Sequence, residues 1–178
     1  MPSLISPLLR AALAAVLVIA AGVATAGPPP PAAGLPWTLV FAYRATPPNP
    51  GGGAPETILA MTVAPDGQSS IKSEVTEFQD QKASMAQWQG KLTDAELAQL
   101  RAAIDKANFP AMPAKVATGR SGIEDGWRGT LALKGPSLDK EVEFGSFGEP
   151  DDSGKALAAT VATLIEFIAK KTSAQPGK

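Results

Sequence analysis

The chain of 178 residues contains neither cysteine nor histidine, and each absence removes a class of chemistry. Without cysteine there can be no disulfide, no Cys-His dyad and no thiol for a lipid anchor. Without histidine there is no Ser-His-Asp triad, and the commonest general acid–base group is missing. Zinc, copper and haem sites rest mostly on these two residue types, so no metal or cofactor is expected. Charge is balanced and sparse. Sixteen Lys and Arg stand against seventeen Asp and Glu, a net of −1. No basic run stands out, so nucleic acid is not an expected partner. Together these absences point to a protein that binds rather than one that catalyses.

The sequence also lacks an apolar run long enough to span a bilayer. The longest, Ala11 to Ala21, falls short of the roughly 20 residues a spanning helix needs. It does follow Arg10, the only charge in the first 26 residues, and it precedes Ala24-Thr25-Ala26. A basic n-region, a short apolar h-region and an A-x-A site make a secretory signal peptide. Residues 1–26 are therefore expected to be cleaved near Ala26–Gly27. The mature protein would reach the periplasm or the medium, meeting the membrane only during export. Cleavage removes Arg10 alone among the charges, leaving 15 basic and 17 acidic residues, a net of −2.

Residues 27–36 are rich in Pro, Ala and Gly, with prolines at Pro28, Pro29, Pro30 and Pro31. Such a run makes neither helix nor ladder and reads as an extended linker. A Pro-rich recognition ligand is the functional alternative. From Trp37 the composition becomes globular, and residues 37–171 are expected to form one domain. About 150 mature residues suffice to bury a core without staples. The polar residues 172–178 read as a flexible tail.

Within the domain, Trp37, Leu39, Phe41 and Tyr43 alternate with Thr38, Val40, Ala42 and Arg44, the period of a strand. Pro47-Pro48-Asn49-Pro50-Gly51-Gly52-Gly53 breaks regular structure. Thr57 to Val63 and Ser70 to Phe78 read as a hairpin around Pro65-Asp66-Gly67, in which proline presets φ and glycine accepts a positive one. Ala83 to Gly90 reads as a fourth strand. Thr93-Asp94-Ala95-Glu96 is a capping box, with Leu92 and Leu97 placed as its hydrophobic staple. Leu97, Leu100 and Ile104 form one helical face, which Asn108 and Pro110 end. Residues 111–126 read as a long loop. Trp127 to Leu133 and Lys140 to Phe147 make a second hairpin. Asp151 to Ser153 open a second helix, with Leu157, Val161, Leu164, Ile165 and Ile168 at helical spacing. The expected fold is α+β, in the order ββββαββα: a two-layer domain with an antiparallel sheet and both helices packed on one face.

Few groups in this layout suggest chemistry. Ser69 to Lys72 and Ser137 to Lys140 match Ser-x-x-Lys, yet both lie at turn-to-strand junctions and lack their partner motifs. Glu124-Asp125 and Glu149, Asp151, Asp152 are acidic clusters whose pairs could hydrolyse glycosides or bind calcium. Turn and capping roles account for most of them. Trp37, Trp88 and Trp127 sit at strand positions that packing explains. No catalytic residue, metal ligand or cofactor-binding residue is assigned. The candidate binding loops are the glycine-rich Gly51, Gly52, Gly53 and Gly119, Arg120, Ser121, Gly122. Neither is a phosphate loop, but loops on a rigid sheet commonly carry contacts, and the Arg120 guanidinium suits carboxylates and backbone acceptors.

The order Tyr43-Arg44, Gly51 to Gly53, Pro65-Asp66-Gly67, Leu92 to Leu97 with Leu100 and Phe109, Asp125-Gly126-Trp127 and a terminal Leu/Val/Ile helix resembles a group of small bacterial secreted domains. That group includes emfourin-type inhibitors of thermolysin-like metalloproteases. The resemblance covers residues 37–171. It implies the fold above and, as an alternative function, inhibition of an extracellular protease. One departure is that Pro47, Pro48, Asn49 and Pro50 separate the first strand from the glycine loop. No segment matches an inhibitory loop, so no inhibitory residue is carried over. The function expected from the residues themselves is that of an exported, non-catalytic binding domain whose partner is a protein or an envelope component.

Overall fold

The computed structural model describes residues 34–46, 55–77, 82–119 and 126–174. Residues 1–33, which hold the segment expected to be a signal peptide and most of the expected linker, lie outside them, as do Gly51 to Gly53, Phe78, Arg120 to Asp125 and the last four residues. Seven strands and two helices follow one another along the described chain: β1 (Thr38–Ala45), β2 (Glu56–Val63), β3 (Gln68–Glu77), β4 (Lys82–Lys91), α1 (Asp94–Lys106), β5 (Lys115–Ala117), β6 (Trp127–Gly135), β7 (Leu138–Gly145) and α2 (Asp152–Ser173). A single 3-10 turn, Phe109–Ala111, follows α1.

The strands form one sheet in the order β4-β3-β2-β1-β6-β7-β5. Every neighbouring pair is antiparallel except β5 with β7, which run parallel. The class is mixed α and β with a largely antiparallel sheet, as the sequence indicates. The reading of residues 111–126 needs correction. Residues 111–126 are not a continuous loop, because Lys115–Ala117 pairs with Glu143, Phe144 and Gly145. Three residues are too few to display a period of two, and their partner lies far along the chain, so local patterning carries no trace of the strand.

Local chemistry sets the remaining boundaries. At the β2–β3 turn, Gly67 has φ 88°, a conformation glycine takes without strain. The Asp66 carboxylate accepts a hydrogen bond from the Gln68 amide at 3.0 Å. At the start of α1 the Glu96 amide donates to Thr93 Oγ1 at 3.3 Å, and the Thr93 amide donates to Glu96 Oε2 at 3.0 Å. That reciprocal pair satisfies two donors the helix leaves orphaned. Asp151 caps α2 through the Gly154 amide at 2.7 Å. The helix then runs through Ser173. Thr172, expected in the tail, is buried and donates to the Ile168 carbonyl.

Alternation in the strands decides what is buried. Leu39 and Phe41 of β1 are fully covered, whereas Ala42 and Arg44 are exposed. Register carries the same face across the sheet: Phe41 stands opposite Met61 and Leu131, Met61 opposite Ile71, and Leu131 opposite Val142. These side chains join Leu97, Leu100 and Ile104 of α1 and Leu157, Leu164 and Ile168 of α2 in one apolar cluster. Each such side chain contributes roughly 1.5–3 kcal/mol on burial. Helix α2 lies against β2, β3, β4 and β5 and against α1. The helices are tied by Thr160, whose hydroxyl donates to the Ala103 carbonyl at 3.0 Å. Leu35 also joins the cluster, so the folded body begins inside the segment whose composition reads as linker.

Candidate functional site

The strands that start and finish at the candidate loops share one end of the sheet. β1 leads into residues 47–54 and β2 leaves them, while Gly119 and Gly126 flank residues 120–125. The Thr46 amide donates to the Gly126 carbonyl at 2.9 Å, which joins the roots of the two loops directly. Gly119 sits against the Trp127 indole, where a β-carbon would overlap the ring. The Trp127 Nε1–H donates to Thr118 Oγ1 at 3.1 Å and fixes that contact. Of the sequence-derived loop residues, Gly119 is therefore at this end. Gly51, Gly52, Gly53, Arg120, Ser121 and Gly122 lie outside the described residues.

The solvent face of the sheet at the same end carries a shallow depression of about 340 Å³. Ala42, Ile58, Ala60 and Thr130 line it from the solvent side of β2, β1 and β6, and Arg44, Arg128 and Glu143 frame it. Arg44 stands directly opposite Arg128 in the β1–β6 register and opposite Ile58 in the β1–β2 register. Like charges directly opposed on one face repel. Glu56 answers one of them: its Oε1 lies 2.6 Å from both Nε and Nη2 of Arg44. Thr46 Oγ1 adds a longer hydrogen bond to the same oxygen at 3.4 Å. Glu143 pairs with Lys115 at 3.7 Å. Arg128 has no ion-pair partner among the described residues.

Beneath this end, on the covered face, Tyr43 packs in a triangle of near-parallel rings with Phe41 and Phe144, its ring centroid 6.4 and 6.5 Å from theirs. Burial in that apolar stack raises the phenol above its ordinary value of 10.0. A second, polar depression of about 400 Å³ lies between β2, β3 and β4, lined by Thr62, Gln68, Ser69, Ser70, Gln89 and Gly90. It offers hydroxyl and amide groups without charge.

The structure separates the Ser-x-x-Lys pairs. Ser69 donates to the Gly90 carbonyl, and Lys72, on the opposite face of β3, pairs with Glu74. Ser137 lies in the β6–β7 turn, and Lys140 donates to the Met112 carbonyl. Asp151 is spent as the α2 cap, and Asp152 pairs with Lys155 at 3.3 Å. Glu124 and Asp125 lie outside the described residues. Among the described residues no group of three or more Asp or Glu side chains is arranged to hold a metal ion.

Sequence reasoning placed Arg44 on the face opposite Tyr43, and that placement holds. It gave no notice of the partnership with Arg128, Ile58 and Ala60. The only signal was strand alternation, and alternation names a face without naming its neighbours. Register supplies the neighbours, and register is a property of the folded sheet. Neither a known protein family nor a characterised protein matches the chain.

Proposed function

We propose that the chain is an exported binding domain without a reaction of its own. On this reading residues 1–26 are removed, and the mature protein works in the periplasm or the medium. The domain has two layers: both helices cover one face of the sheet and leave the other to a protein or an envelope component. The observation that carries the reading is the uncovered face beside the loop roots. It combines an apolar centre of Ala42, Ile58 and Ala60 with a charged rim of Arg44, Arg128 and Glu143. An apolar centre within a polar rim is the usual anatomy of a binding surface.

The test uses the immobilised protein exposed to periplasmic and secreted fractions of the producing cell, beside an Ala60→Lys variant. A component retained by the parent and lost with Ala60→Lys is the expected result. Retention indifferent to Ala60→Lys removes this face as the binding surface. Catalytic turnover by the purified protein removes the non-catalytic reading. Export is checked separately by the intact mass of the recovered protein, expected to begin at Gly27.

A second reading, inhibition of a thermolysin-like extracellular protease, draws on the resemblance and on one observation. Two Gly-containing loops rooted side by side at one sheet end could enter a cleft together. Slowing of such a protease at micromolar concentration supports it, and unchanged proteolysis discards it.

A further inference from the structure

We propose that Arg128, beside the occupied Arg44–Glu56 pair, is the charged end of a site for an aliphatic carboxylate on the uncovered face of the sheet. The proposal rests on the reading of that face as the binding surface and names the chemistry it takes. Three features of the depression set that chemistry. The first is the count of charges. Two guanidiniums are opposed across β1 and β6, and Glu56 neutralises only Arg44. Among the described residues one positive charge is left to be matched. A monoanion matches it, whereas a phosphate dianion would meet an excess of negative charge next to Glu143.

The second is the shape of the free group. A guanidinium presents parallel N–H donors in a planar fork, which a carboxylate accepts in a bidentate manner. The third is the floor. Ala42, Ile58, Ala60 and the methyl-bearing Thr130 extend across β2, β1 and β6. Three strands at about 4.8 Å spacing cover roughly 10 Å, the reach of a medium-length acyl chain. Such a chain would lie across the strands with its head at Arg128, removing apolar surface from water at both partners. The apolar floor also lowers the local screening around the head group, which strengthens the charge-assisted bonds.

The test is a titration of the ¹⁵N-labelled protein with sodium octanoate, with octan-1-ol and sodium acetate as parallel probes. Octanoate is expected to shift the amide signals of Ala42, Ala60, Gly129 and Thr130 saturably. Octanol keeps the chain and loses the charge, and is expected to bind about tenfold more weakly, the scale of one charge-assisted hydrogen bond. Acetate keeps the charge and loses the chain, and is expected not to saturate. The Arg128→Gln variant is expected to weaken octanoate by about tenfold without lowering the melting temperature, since Arg128 is exposed and has no ion-pair partner among the described residues. Equal binding of octanoate and octanol overturns the proposal. So do shifts located elsewhere, or octanoate binding unaltered in Arg128→Gln. If octanoate is silent while a partner is still captured in an Ala60-dependent way, the carboxylate site is wrong and the binding-face reading stands. If octanoate binds as described while capture ignores Ala60→Lys, the broader reading is the one that fails.

Discussion

Glu96 shows how one carboxylate can serve three elements. It closes the capping box of α1 and receives Lys171 from α2 at 2.7 Å. The same ammonium lies 4.5 Å from the centre of the Trp88 ring on β4. Partial burial alone would raise the Glu96 carboxyl, but the hydrogen bond from Lys171, those from Thr93 and the Lys171 charge outweigh it. The group lies below its ordinary value of 4.5. A depressed acid stabilises the fold above its unfolded value, and that contribution disappears as pH falls through the folded one. Glu96→Gln is therefore expected to cost about 1 kcal/mol at neutral pH. The difference from the parent should vanish in acid well below pH 4.5, as read by denaturant unfolding at both conditions. A constant difference across that range would mean that the side chain acts by packing and not by charge. Tyr43 works in the other direction. It is the only tyrosine in the chain, so the tyrosinate absorbance near 295 nm reports it alone. Burial is expected to place its midpoint above 10.0 in the folded protein. Unfolding in denaturant should return it to the ordinary value. Stability should accordingly decline as pH rises past 10, because the unfolded chain ionises first.

At the scale of elements, close approach between β1, β6 and β7 depends on Gly129. A β-carbon there would run into the Ala42 carbonyl oxygen and the Phe144 ring. Phe144 is fully buried and stacks on Phe41 at 6.0 Å, so it has nowhere to move. Gly129→Ala is expected to destabilise by about 1–3 kcal/mol through overpacking. Gly148 is the control, since a β-carbon there meets nothing within 4 Å, and Gly148→Ala should leave the thermal midpoint unchanged. Equal midpoints for the two variants would show that the sheet adjusts around Gly129 freely. The same strands explain what could be read from sequence and what could not. Helix α1 was legible because the Thr93–Glu96 box and the Leu97, Leu100, Ile104 stripe are encoded within thirteen residues. Strand β1 was legible because burying one face enforces alternation. β5 was not, being three residues whose partner lies far along the chain. The depression was not legible either. Arg44 and Arg128 become neighbours only when β1 pairs with β6 in a particular register, and a one-residue slip of β6 would send Arg128 to the covered face. Of the candidate loops, the structure contributes the shared location of their roots, which no local pattern contains.

For the molecule as a whole, the two sheet edges differ. β5 is three residues long, too short to template another strand, whereas β4 presents ten residues in unbroken register with β3. No proline or bulge interrupts β4, and Met85 stands 60% exposed on it. Such an edge invites pairing with a second chain unless something opposes it. The opposition is charge: Lys82 and Lys91 close the two ends of the strand, and no carboxylate lies between them. Lys82 and Lys91 are nine residues apart and point to opposite faces, so if two copies pair β4 antiparallel with their ends nearly aligned, each Lys82 lies one position along from the Lys91 of the other copy. Like charges brought that close at the two ends repel. The repulsion acts twice in the pair, once at each end. Replacing both lysines with a neutral strand former removes it while leaving the β3–β4 ladder intact. The Lys82→Thr, Lys91→Thr double variant is therefore expected to self-associate more than the parent, with a sedimentation coefficient that rises with protein concentration. Salt at about 1 M should move the parent in the same direction, because screening then confines these charges to roughly 3 Å, less than the spacing of adjacent strands. The double variant, which has no lysine repulsion left to screen, should respond less. Identical sedimentation of parent and variant over the same concentration range would mean that the β4 edge is protected by something other than its terminal lysines.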